Sequence, residues 1–252
     1  MDLGIKNKYA LVTGCSKNIG KAIAISLAKE GVNVLAIARS KKELQNLKLE
    51  MNKYSNDNNL LVLDLLKNNS IDKISKFIKS KKIQIQIIVH NLGGSLNIKN
   101  HDAPSKLWQE VWNYNLGFSI DLNNLIIPTM TKFNWGRIVH ISSYATTSNL
   151  GYPPYVSAKG ALESYVKSVS KKLSKSNINM NCVAPGLVDL DGRYFSNLKK
   201  SNYKQFKEYM NNYIPIGRMS KVEEVSSVIT FLCSKQSSYM TGSIVKLDGV
   251  GN

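Results

Sequence analysis

The sequence predicts a single α/β domain in which helices cover both faces of a seven-stranded parallel sheet. Seven short apolar segments, rich in β-branched residues, recur along the 252-residue chain. Amphipathic stretches separate these segments, and no Pro-, Gly- or Ser-rich linker divides the chain. Near-continuous apolar strands joined by crossover helices are typical of parallel sheets buried on both faces, so we expect one doubly wound domain.

The predicted strands and helices alternate from end to end. The strands are residues 9–13, 32–38, 60–64, 85–90, 137–141, 178–183 and 243–247. After the first strand, Ile19, Ile23 and Leu27 recur at four-residue spacing, and Gly31 suits the helix C-terminus. The other helical patterns lie at 70–80, 105–132, 155–175 and 221–234.

One segment departs from this alternation. Residues 187–214 are polar and aromatic and follow the sixth predicted strand. Ligands bind at the carboxyl ends of the strands in open parallel sheets, so we expect this insertion to be a substrate lid over a site there. The alternative is a pair of surface helices without a functional role.

The composition limits the classes of partner that fit. The net charge is +17, but the lysines are spread along the chain in short pairs, and the chain has 27 asparagines. A nucleic-acid site would concentrate the positive charge on one segment with interleaved aromatic residues. We therefore expect no nucleic-acid partner and interpret the charge as a solvated surface. Long-range attraction of anionic small molecules or acidic carrier proteins stays open.

The cysteines and the N-terminus indicate where the protein works. Cys15, Cys182 and Cys233 are far apart and form no C-x-x-C motif, which favours a reducing compartment. The sequence shows neither a signal-peptide pattern nor an apolar run of the roughly 18–20 residues that span a bilayer. We expect a cytoplasmic protein with no membrane partner and no metal site.

The turn after the first strand has the features of a phosphate loop in a Rossmann-type domain. TGCSKNIGKAIA (13–24) follows the strand directly and opens a helix, so backbone N–H groups and the helix dipole can face a pyrophosphate. Gly14 permits the tight turn, and Gly20 permits close approach of helix and strand. Asn18 stands where a glycine is more usual, and Asn tolerates positive φ better than most residues.

The end of the second strand indicates which dinucleotide binds. An acidic residue usually ends this strand where the ribose is unphosphorylated, but here the residues are Ile37-Ala38-Arg39-Ser40. Arg39 and Lys17 would both lie near the ribose 2′ position. Two cations in place of a carboxylate favour a 2′-phosphate, so the sequence predicts NADP(H) as the cofactor.

A tyrosine with a lysine four residues later occurs twice, at Tyr155/Lys159 and at Tyr203/Lys207. On a helix this spacing puts both side chains on one face. A nearby ammonium favours the phenolate of a tyrosine and so eases proton transfer. Only the first pair follows a strand that ends in serine, and Pro153-Pro154 places its tyrosine in the first helical turn. We predict that Tyr155 is a proton donor and Lys159 its electrostatic partner.

Seven segments, in order, resemble the short-chain dehydrogenase/reductase family over nearly the whole chain. TGCSKNIG resembles the family's T-G-x-x-x-G-x-G loop, Asp64 its aspartate near the adenine, and HNLGG (90–94) its N-N-A-G segment. Asn115 falls where the family keeps an active-site asparagine. Residues 136–162 resemble the catalytic block of strand, serine, loop and Tyr-x-x-x-Lys. NCVAPG resembles the P-G turn, and IPIGRMSKVEEVSSVITFLCS with YMTGSIVKLDG matches the usual C-terminal third.

The resemblance implies an oxidoreductase that transfers a hydride between NADP(H) and a ketone or secondary alcohol. Ser143 would bind the carbonyl oxygen, Asn115 would hold a proton-relaying water, and Lys159 would also reach the nicotinamide ribose. With Tyr155 these form the catalytic set. The predicted cofactor-binding residues are Gly14, Ser16, Lys17, Asn18, Ile19, Gly20, Arg39, Asp64, Leu65, Asn91, Gly93, Tyr155, Lys159, Pro185, Gly186 and Val188.

The chain departs from the family pattern at several positions. His90 replaces the first Asn of N-N-A-G, and Leu190 stands where the family often has a threonine that holds the carboxamide. The ending reads DGVGN, whereas D-G-G is commoner. The loop between Ser143 and Tyr155 is one residue shorter than a frequent spacing, which leaves Ser142 as an alternative to Ser143.

Two tyrosines and two histidines near the predicted catalytic residues are interpreted as non-catalytic. Tyr144 and Tyr152 have no lysine at the fourth following position, so we interpret them as pocket-wall or surface residues. His90 and His140 end strands, and we interpret them as structural residues rather than general bases.

Three classes of function stay open at this point. The first is reduction of a 3-oxoacyl thioester on an acyl carrier protein. The basic charge of the chain suits an acidic carrier, which Lys171 and Lys172 could contact. The segment Phe133-Asn134-Trp135, however, offers no basic residue for such a carrier. The second is reduction of the ketone of a sugar or secondary metabolite, which the aromatic residues of the insertion could enclose equally well. The third alternative, a catalytically silent NADP-binding regulatory protein, is disfavoured by the intact catalytic set. The resemblance also implies a homo-oligomer, a tetramer or dimer, built on helices 105–132 and 155–175.

Overall fold

The predicted strands and helices follow one another in the predicted order, and two further helices, Lys41–Met51 and Ala145–Ser148, lie between them. The computed structural model describes residues 1–148, 150–192 and 194–250, so position 193 of the insertion and the end of DGVGN lie outside the described residues. The strands are β1 (Tyr9–Thr13), β2 (Asn33–Ala38), β3 (Asn59–Val62), β4 (Ile85–His90), β5 (Gly136–Ile141), β6 (Ile178–Pro185) and β7 (Ile244–Leu247).

Helices connect the strands. They are α1 (Asn18–Lys29), α2 (Lys41–Met51), α3 (Ser70–Lys81), α4 (Ser105–Trp112), α5 (Phe118–Lys132), α6 (Ala145–Ser148), α7 (Pro153–Leu173), α8 (Tyr194–Ser201), α9 (Tyr203–Tyr213) and α10 (Val222–Leu232). A π-helical turn, Asn113–Gly117, joins α4 to α5. Among the described ranges, no helix is both long and apolar enough to cross a membrane.

The seven strands form one parallel sheet in the order β3-β2-β1-β4-β5-β6-β7. The order reverses between β1 and β4, where a crevice opens at the carboxyl ends of the strands. The register places His90 beside His140, and His140 beside Cys182. The predicted doubly wound α/β domain with a seven-stranded parallel sheet is confirmed.

Each face of the sheet has its own apolar core because successive strand residues point to opposite sides. Val12 and Val34 pack with α1, α2 and α10, whereas Leu11 and Leu35 pack with α3, α5 and α7. Gly31 follows α1 with a φ of +72°, a left-handed conformation that ends helices and favours glycine. Burial on both faces therefore explains the near-continuous apolar strands.

The element boundaries lie within two residues of the predicted ones. Helix α7 begins at Pro153 rather than at Tyr155, because proline lacks the N–H that the first helical turn leaves unpaired anyway. The predicted helix 105–132 is interrupted by the π-helical turn Asn113–Gly117. Nothing in the hydrophobic period of this stretch indicated the turn, which is a local rearrangement of backbone hydrogen bonds.

The insertion after β6 folds into α8 and α9 and buries a small apolar cluster of its own. Phe206 and Met210 from α9 pack there with Ile214 and Met219, apart from the two main cores. Asn202 caps α9 by accepting a hydrogen bond from the backbone N–H of Gln205 at 3.1 Å. The insertion is therefore an ordered helix pair with its own packing.

Candidate active site

One cleft at the carboxyl edge of the sheet collects nearly all the predicted site residues. Its volume is about 1070 Å³, and it follows the ends of β1 to β6. Every predicted cofactor-binding residue lines it, together with Ser143, Tyr155 and Lys159. Asn115 is not among the lining residues. No cluster of three or more His, Cys, Asp or Glu side chains that could hold a metal ion occurs in the described parts of the chain.

The loop between β1 and α1 is packed so closely that Gly20 has no room for a side chain. A Cβ at Gly20 would stand 2.4 Å from the carbonyl oxygen of Gly14 and 2.5 Å from Nδ2 of Asn91. The side chain of Asn91 donates to the Gly14 carbonyl at 3.0 Å, and its backbone N–H donates to Oγ1 of Thr13 at 3.0 Å. Hydrogen bonds from the end of β4 thus hold this loop in place.

The start of α1 suits an anion. Asn18 has a φ of +53°, as the tolerance of asparagine for this region predicts. The helix has no side-chain N-terminal cap and no acidic residue in its first turn. Its first N–H groups are therefore left for another acceptor, and the helix dipole favours negative charge there. A tight loop with glycines at positions 14 and 20, beside an uncapped helix, fits a pyrophosphate.

Two cations lie at the end of the cleft beyond β2. Lys17 and Arg39 line the cleft and are exposed. The only carboxylate that pairs with either of them in the described chain is Glu43, whose Oε1 lies 3.8 Å from Nζ of Lys17. Asp64 is held in its own turn, where Oδ1 accepts from the N–H of Leu66 at 3.2 Å. This end of the cleft can therefore accommodate a further negative group.

Lys159 is a buried lysine at the opposite end of the cleft. Its exposed fraction is 3%, and Nζ donates to the carbonyl oxygen of Ile141 at 2.6 Å. Burial lowers the pKa of Lys159 to about 8, although the negative charge of the neighbouring Glu163 raises it. The lysine can therefore change its protonation state near neutral pH, which an exposed lysine cannot do.

The surroundings of the pair Tyr155/Lys159 differ from those of Tyr203/Lys207, the second pair with the same spacing. Tyr155 lies half-buried in the first turn of α7, and Nζ of Lys159 lies 5.8 Å from its ring centroid. Tyr203 is 61% exposed, Lys207 is also exposed, and neither lines the cleft. A desolvated ammonium beside a phenol at a cleft is suited to proton transfer. The pair Tyr203/Lys207, in contrast, is exposed to solvent.

The two candidate serines at the end of β5 have different surroundings. Ser142 is buried, and its hydroxyl donates to Oε1 of Glu163 at 2.6 Å. The hydroxyl of Ser143 accepts one long hydrogen bond, from the N–H of Ala145 at 3.3 Å, and its proton has no acceptor among the described residues. Ser143 can therefore donate to a ligand in the cleft, whereas the proton of Ser142 is already used.

Asn115 lies just behind the cleft in the π-helical turn and is 1% exposed. Its Nδ2 donates to the carbonyls of Gly94 and Val111, both at 2.8 Å, and its Oδ1 accepts from the N–H of Gly94 at 3.0 Å. A Cβ on Gly93 would lie 2.7 Å from this Oδ1 and 2.9 Å from Nζ of Lys159. The amide thus holds the loop after β4 close to the lysine.

The outer end of the cleft is apolar and aromatic. Leu190 and Phe195 line it together with Leu96, Tyr114 and Tyr194. Among the described residues, the charged side chains that line the cleft are Lys17, Arg39, Asp64 and Lys159, and none belongs to this wall. The apolar side chains of the wall can therefore contact an apolar part of a substrate.

Two residues that hold the site together were not among the predicted site residues. Thr13 joins the ends of β1 and β4, and Glu163 joins the serine turn to α7. Tyr144, expected at the pocket wall or surface, is buried outside the cleft and interacts with Tyr209. Burial, followed by this contact, raises the pKa of Tyr209. Tyr152 is 38% exposed, as a surface residue is expected to be.

His90 and His140 form a stacked pair beneath the cleft, with ring centroids 4.3 Å apart. His90 Nε2 lies 2.9 Å from Oδ1 of Asn123, whose Nδ2 donates to the hydroxyl of Tyr165. Burial lowers the pKa of His90 to about 4 and that of His140 well below its usual value. Two neutral rings can stack here, but two imidazolium ions cannot share this interior. This surrounding supports the structural interpretation of both residues.

The histidine pair predicts a loss of stability in acid. An unfolded histidine binds its proton near pH 6.5 and folded His90 only near pH 4, so stability falls as the pH drops between these values. We expect His90 alone to contribute about 3 kcal/mol of destabilisation at pH 4. The melting temperature of His90→Asn should fall less between pH 7 and pH 5 than that of the wild type.

The exposed His101 serves as the control for this experiment. His101→Asn should keep the wild-type pH dependence of the melting temperature. An equally steep loss of stability in His90→Asn would contradict the assignment.

Comparison with known proteins relates this geometry to a family. A family model described as enoyl-(acyl carrier protein) reductase matches residues 14–249. This range contains the whole cleft, from Gly14 after β1 to Phe195 in the insertion. The similarity therefore includes both the fold and the site.

Curated relatives match over the full length of the chain. The 3-oxoacyl-[acyl-carrier-protein] reductase FabG of Aquifex aeolicus is 33% identical over 251 residues, 99% of each chain. The protein of the same name from Buchnera aphidicola subsp. Acyrthosiphon pisum is 32% identical over 249 residues, 98% of each chain.

Solved structures give the same result. L-sorbose reductase from Gluconobacter frateurii, complexed with NADPH and L-sorbose, has a TM-score of 0.89 at 29% identity and covers 99% of this chain and 98% of its own. A 3-oxoacyl (acyl-carrier-protein) reductase from Agrobacterium tumefaciens C58 with NADP bound has a TM-score of 0.89 at 25% identity, covering 98% and 95%. The chain therefore belongs to the short-chain dehydrogenase/reductase family of nicotinamide-dependent oxidoreductases.

Proposed function

We propose that this protein is an NADPH-dependent reductase of 3-oxoacyl thioesters carried on an acyl carrier protein. The observation that supports the reaction class is the buried Lys159, whose Nζ lies 5.8 Å from the ring centroid of Tyr155 at the inner end of the cleft. Ser143 lines the same end with a hydroxyl proton available to a ligand. These groups suit the reduction of a carbonyl.

Each residue has a distinct part in the proposed reaction. Ser143 donates a hydrogen bond to the carbonyl oxygen and stabilises the negative charge that develops there. Tyr155 donates its proton to that oxygen, so the product is an alcohol. The ammonium of Lys159 stabilises the phenolate left behind, and a water held beside Asn115 returns the proton. The bound nicotinamide supplies the hydride.

The residues of the cleft fit a phosphorylated dinucleotide. Gly14, Gly20 and the uncapped α1 would hold the pyrophosphate, and Gly93 leaves room beside Lys159. Lys17 and Arg39 lie at the end where a 2′-phosphate would bind. Two solved relatives with NADPH or NADP bound add support for this choice over NADH.

Reversing one charge tests the cofactor proposal. In Arg39→Asp, a carboxylate replaces a guanidinium that would form charge-assisted hydrogen bonds to the phosphate. We expect the ratio of kcat/KM for NADPH to that for NADH to fall about 100-fold. Lys53→Asp makes the same charge change at an exposed position away from the cleft and should leave the ratio unchanged. An unaltered ratio in Arg39→Asp would refute the preference.

The outer wall and the relatives together favour an acyl thioester. Leu96, Leu190 and Phe195 offer apolar contacts to an acyl chain, and none of the described residues of this wall is charged. A net charge of +17 would attract an acidic carrier over a long range. The full-length relatives at 30–33% identity carry the name of this activity.

A second candidate is the reduction of a sugar or secondary-metabolite ketone. The aromatic side chains Tyr114, Tyr194 and Phe195 at the outer wall could stack on a sugar ring. The structure of L-sorbose reductase is also similar to this chain, at 29% identity. Of the described side chains of this wall, only the two tyrosines can form hydrogen bonds, which suits a polyhydroxylated substrate less well.

Residues 187–214 are proposed as a lid over the substrate. Tyr194 and Phe195 of α8 reach the cleft lining. Tyr209 of α9 interacts with Tyr144, the neighbour of Ser143. These contacts link the insertion both to the substrate end of the cleft and to the serine turn.

A substrate panel with purified protein tests the proposed function. We expect NADPH oxidation to be fastest with a 3-oxoacyl thioester on acyl carrier protein and much slower with L-sorbose. Faster turnover of L-sorbose or another sugar ketone would support the second candidate. NADPH binding without turnover of any ketone would indicate the silent regulatory protein. Sedimentation analysis tests the expected homo-oligomer, and cell fractionation tests the cytoplasmic location.

A further inference from the structure

We propose that Glu163 is a positioning residue of this site, which holds the turn carrying Ser143 against the helix that carries Tyr155 and Lys159. The inference rests on the proposed function and extends it to a carboxylate that is not among the cleft-lining residues. Glu163 lies on α7, one helical turn after Lys159, so the two side chains share a face.

The carboxylate of Glu163 joins two segments of the chain. Its Oε1 accepts hydrogen bonds from Oγ of Ser142 at 2.6 Å and from Oγ1 of Thr146 at 2.9 Å. Hydrogen bonds to an ionised acceptor are roughly twice as strong as those between neutral groups. The two donors lie on either side of Ser143, so one carboxylate holds the whole serine turn to α7.

These contacts fix the main chain of Ser143 on both sides. Before it, the N–H of Ser142 donates to the carbonyl of Val183 at 2.7 Å. After it, Thr146 donates from its N–H to the Ser143 carbonyl at 3.2 Å, and its hydroxyl lies 2.9 Å from the same oxygen. Among the described residues, the serine hydroxyl itself makes only the long contact with Ala145. Its position toward Tyr155 therefore depends on the turn that Glu163 holds.

Glu163 also supplies negative charge beside Lys159. The other titratable groups that face this lysine are Tyr155 from its own helix, His140 from β5 and Cys182 from β6. Burial raises the pKa of Cys182 to about 12 and lowers that of His140, so both are neutral at pH 7. Glu163 is thus the carboxylate that opposes the effect of burial on Lys159.

Glu163→Gln separates charge from shape, because its amide oxygen can still accept the two hydroxyl hydrogen bonds. Without the charge, the titration midpoint of Lys159 should fall by about 0.5–1 pH unit. Nuclear magnetic resonance of ¹³Cε-labelled lysine in the protein without substrate measures this midpoint, with Lys159→Met to assign the signal. The pH profile of kcat should move in the same direction.

Glu163→Ala removes the hydrogen-bond acceptor as well. We expect kcat to fall about 10- to 100-fold because Ser143 loses its fixed position, while the KM for NADPH stays within about twofold. Glu223→Gln is the matched control, since it removes a carboxylate from the exposed first turn of α10. Its Lys159 midpoint and kcat should equal those of the wild type.

The outcomes distinguish positioning from a structural role. If Glu163→Ala lowers only the melting temperature and leaves kcat unchanged, the positioning role is overturned. If Glu163→Ala does not fold, Glu163→Gln tests the effect of the charge, and an unchanged Lys159 midpoint with an unchanged pH profile of kcat overturns that part of the proposal. A wild-type protein that reduces no ketone would refute the proposed function, and the midpoint would still show whether Glu163 acts on Lys159.

Discussion

Tyr155→Phe is expected to lower kcat for ketone reduction by about 10²–10⁴-fold, the range for loss of a general acid. The variant keeps the ring and removes only the hydroxyl that would protonate the carbonyl oxygen. Lys159 cannot replace it, because its Nζ is engaged with the carbonyl of Ile141 at 2.6 Å and is buried. Steady-state kinetics with saturating NADPH measures the effect.

Tyr203, the tyrosine of the second Tyr/Lys pair, provides the matched control. Tyr203→Phe makes the same chemical change at a tyrosine that is 61% exposed and does not line the cleft. It should leave kcat unchanged. The dissociation constant for NADPH, measured by fluorescence, should change less than about threefold in Tyr155→Phe. Full activity of Tyr155→Phe would contradict the proposed mechanism.

Gly20→Ala should weaken NADPH binding by about 100-fold, the order of effect expected when a binding group is displaced by about 1 Å. The new Cβ would lie 2.4 Å from the carbonyl oxygen of Gly14 and 2.8 Å from Cα of Cys15. These are backbone atoms that no side-chain rotation can move, so the loop must shift. Overpacking of this kind also destabilises the fold by about 1–3 kcal/mol. Calorimetric titration with NADPH and thermal unfolding measure the two effects.

Gly160 provides the comparison for the glycine substitution. It lies inside α7, and an added Cβ would meet nothing within 4 Å. Gly160→Ala should therefore raise stability by up to about 1 kcal/mol through helix propensity and leave NADPH affinity unchanged. Gly20→Ala with wild-type affinity would show that this loop does not hold the cofactor.

The fold followed from the sequence because its signals are local and repeated. Each apolar segment predicted a strand, and the crossover helices predicted parallel pairing, as the sheet order confirms. The left-handed conformation of Asn18 was also predicted, since few residue types tolerate it. Such properties depend on a residue and its near neighbours.

The sequence predicted only part of the candidate site. Gly14, Gly20 and Lys159 lie on one cleft because the carboxyl ends of parallel strands meet at one edge. The choice between Ser142 and Ser143 stayed open, since adjacent residues differ only in what their side chains meet. Glu163, 21 residues further along the chain, distinguishes them by accepting the proton of Ser142.

The sequence by itself determined the fold class, the family and the residue types of the cleft, because these depend on periodicity and on motifs of a few residues. Only the tertiary structure decided which hydroxyls already have acceptors, that Lys159 is desolvated, and that His90 stacks on His140. Burial and hydrogen-bond pairing arise between residues far apart in the chain. No local pattern carries them, and they set the pKa of Lys159 on which the proposed chemistry depends.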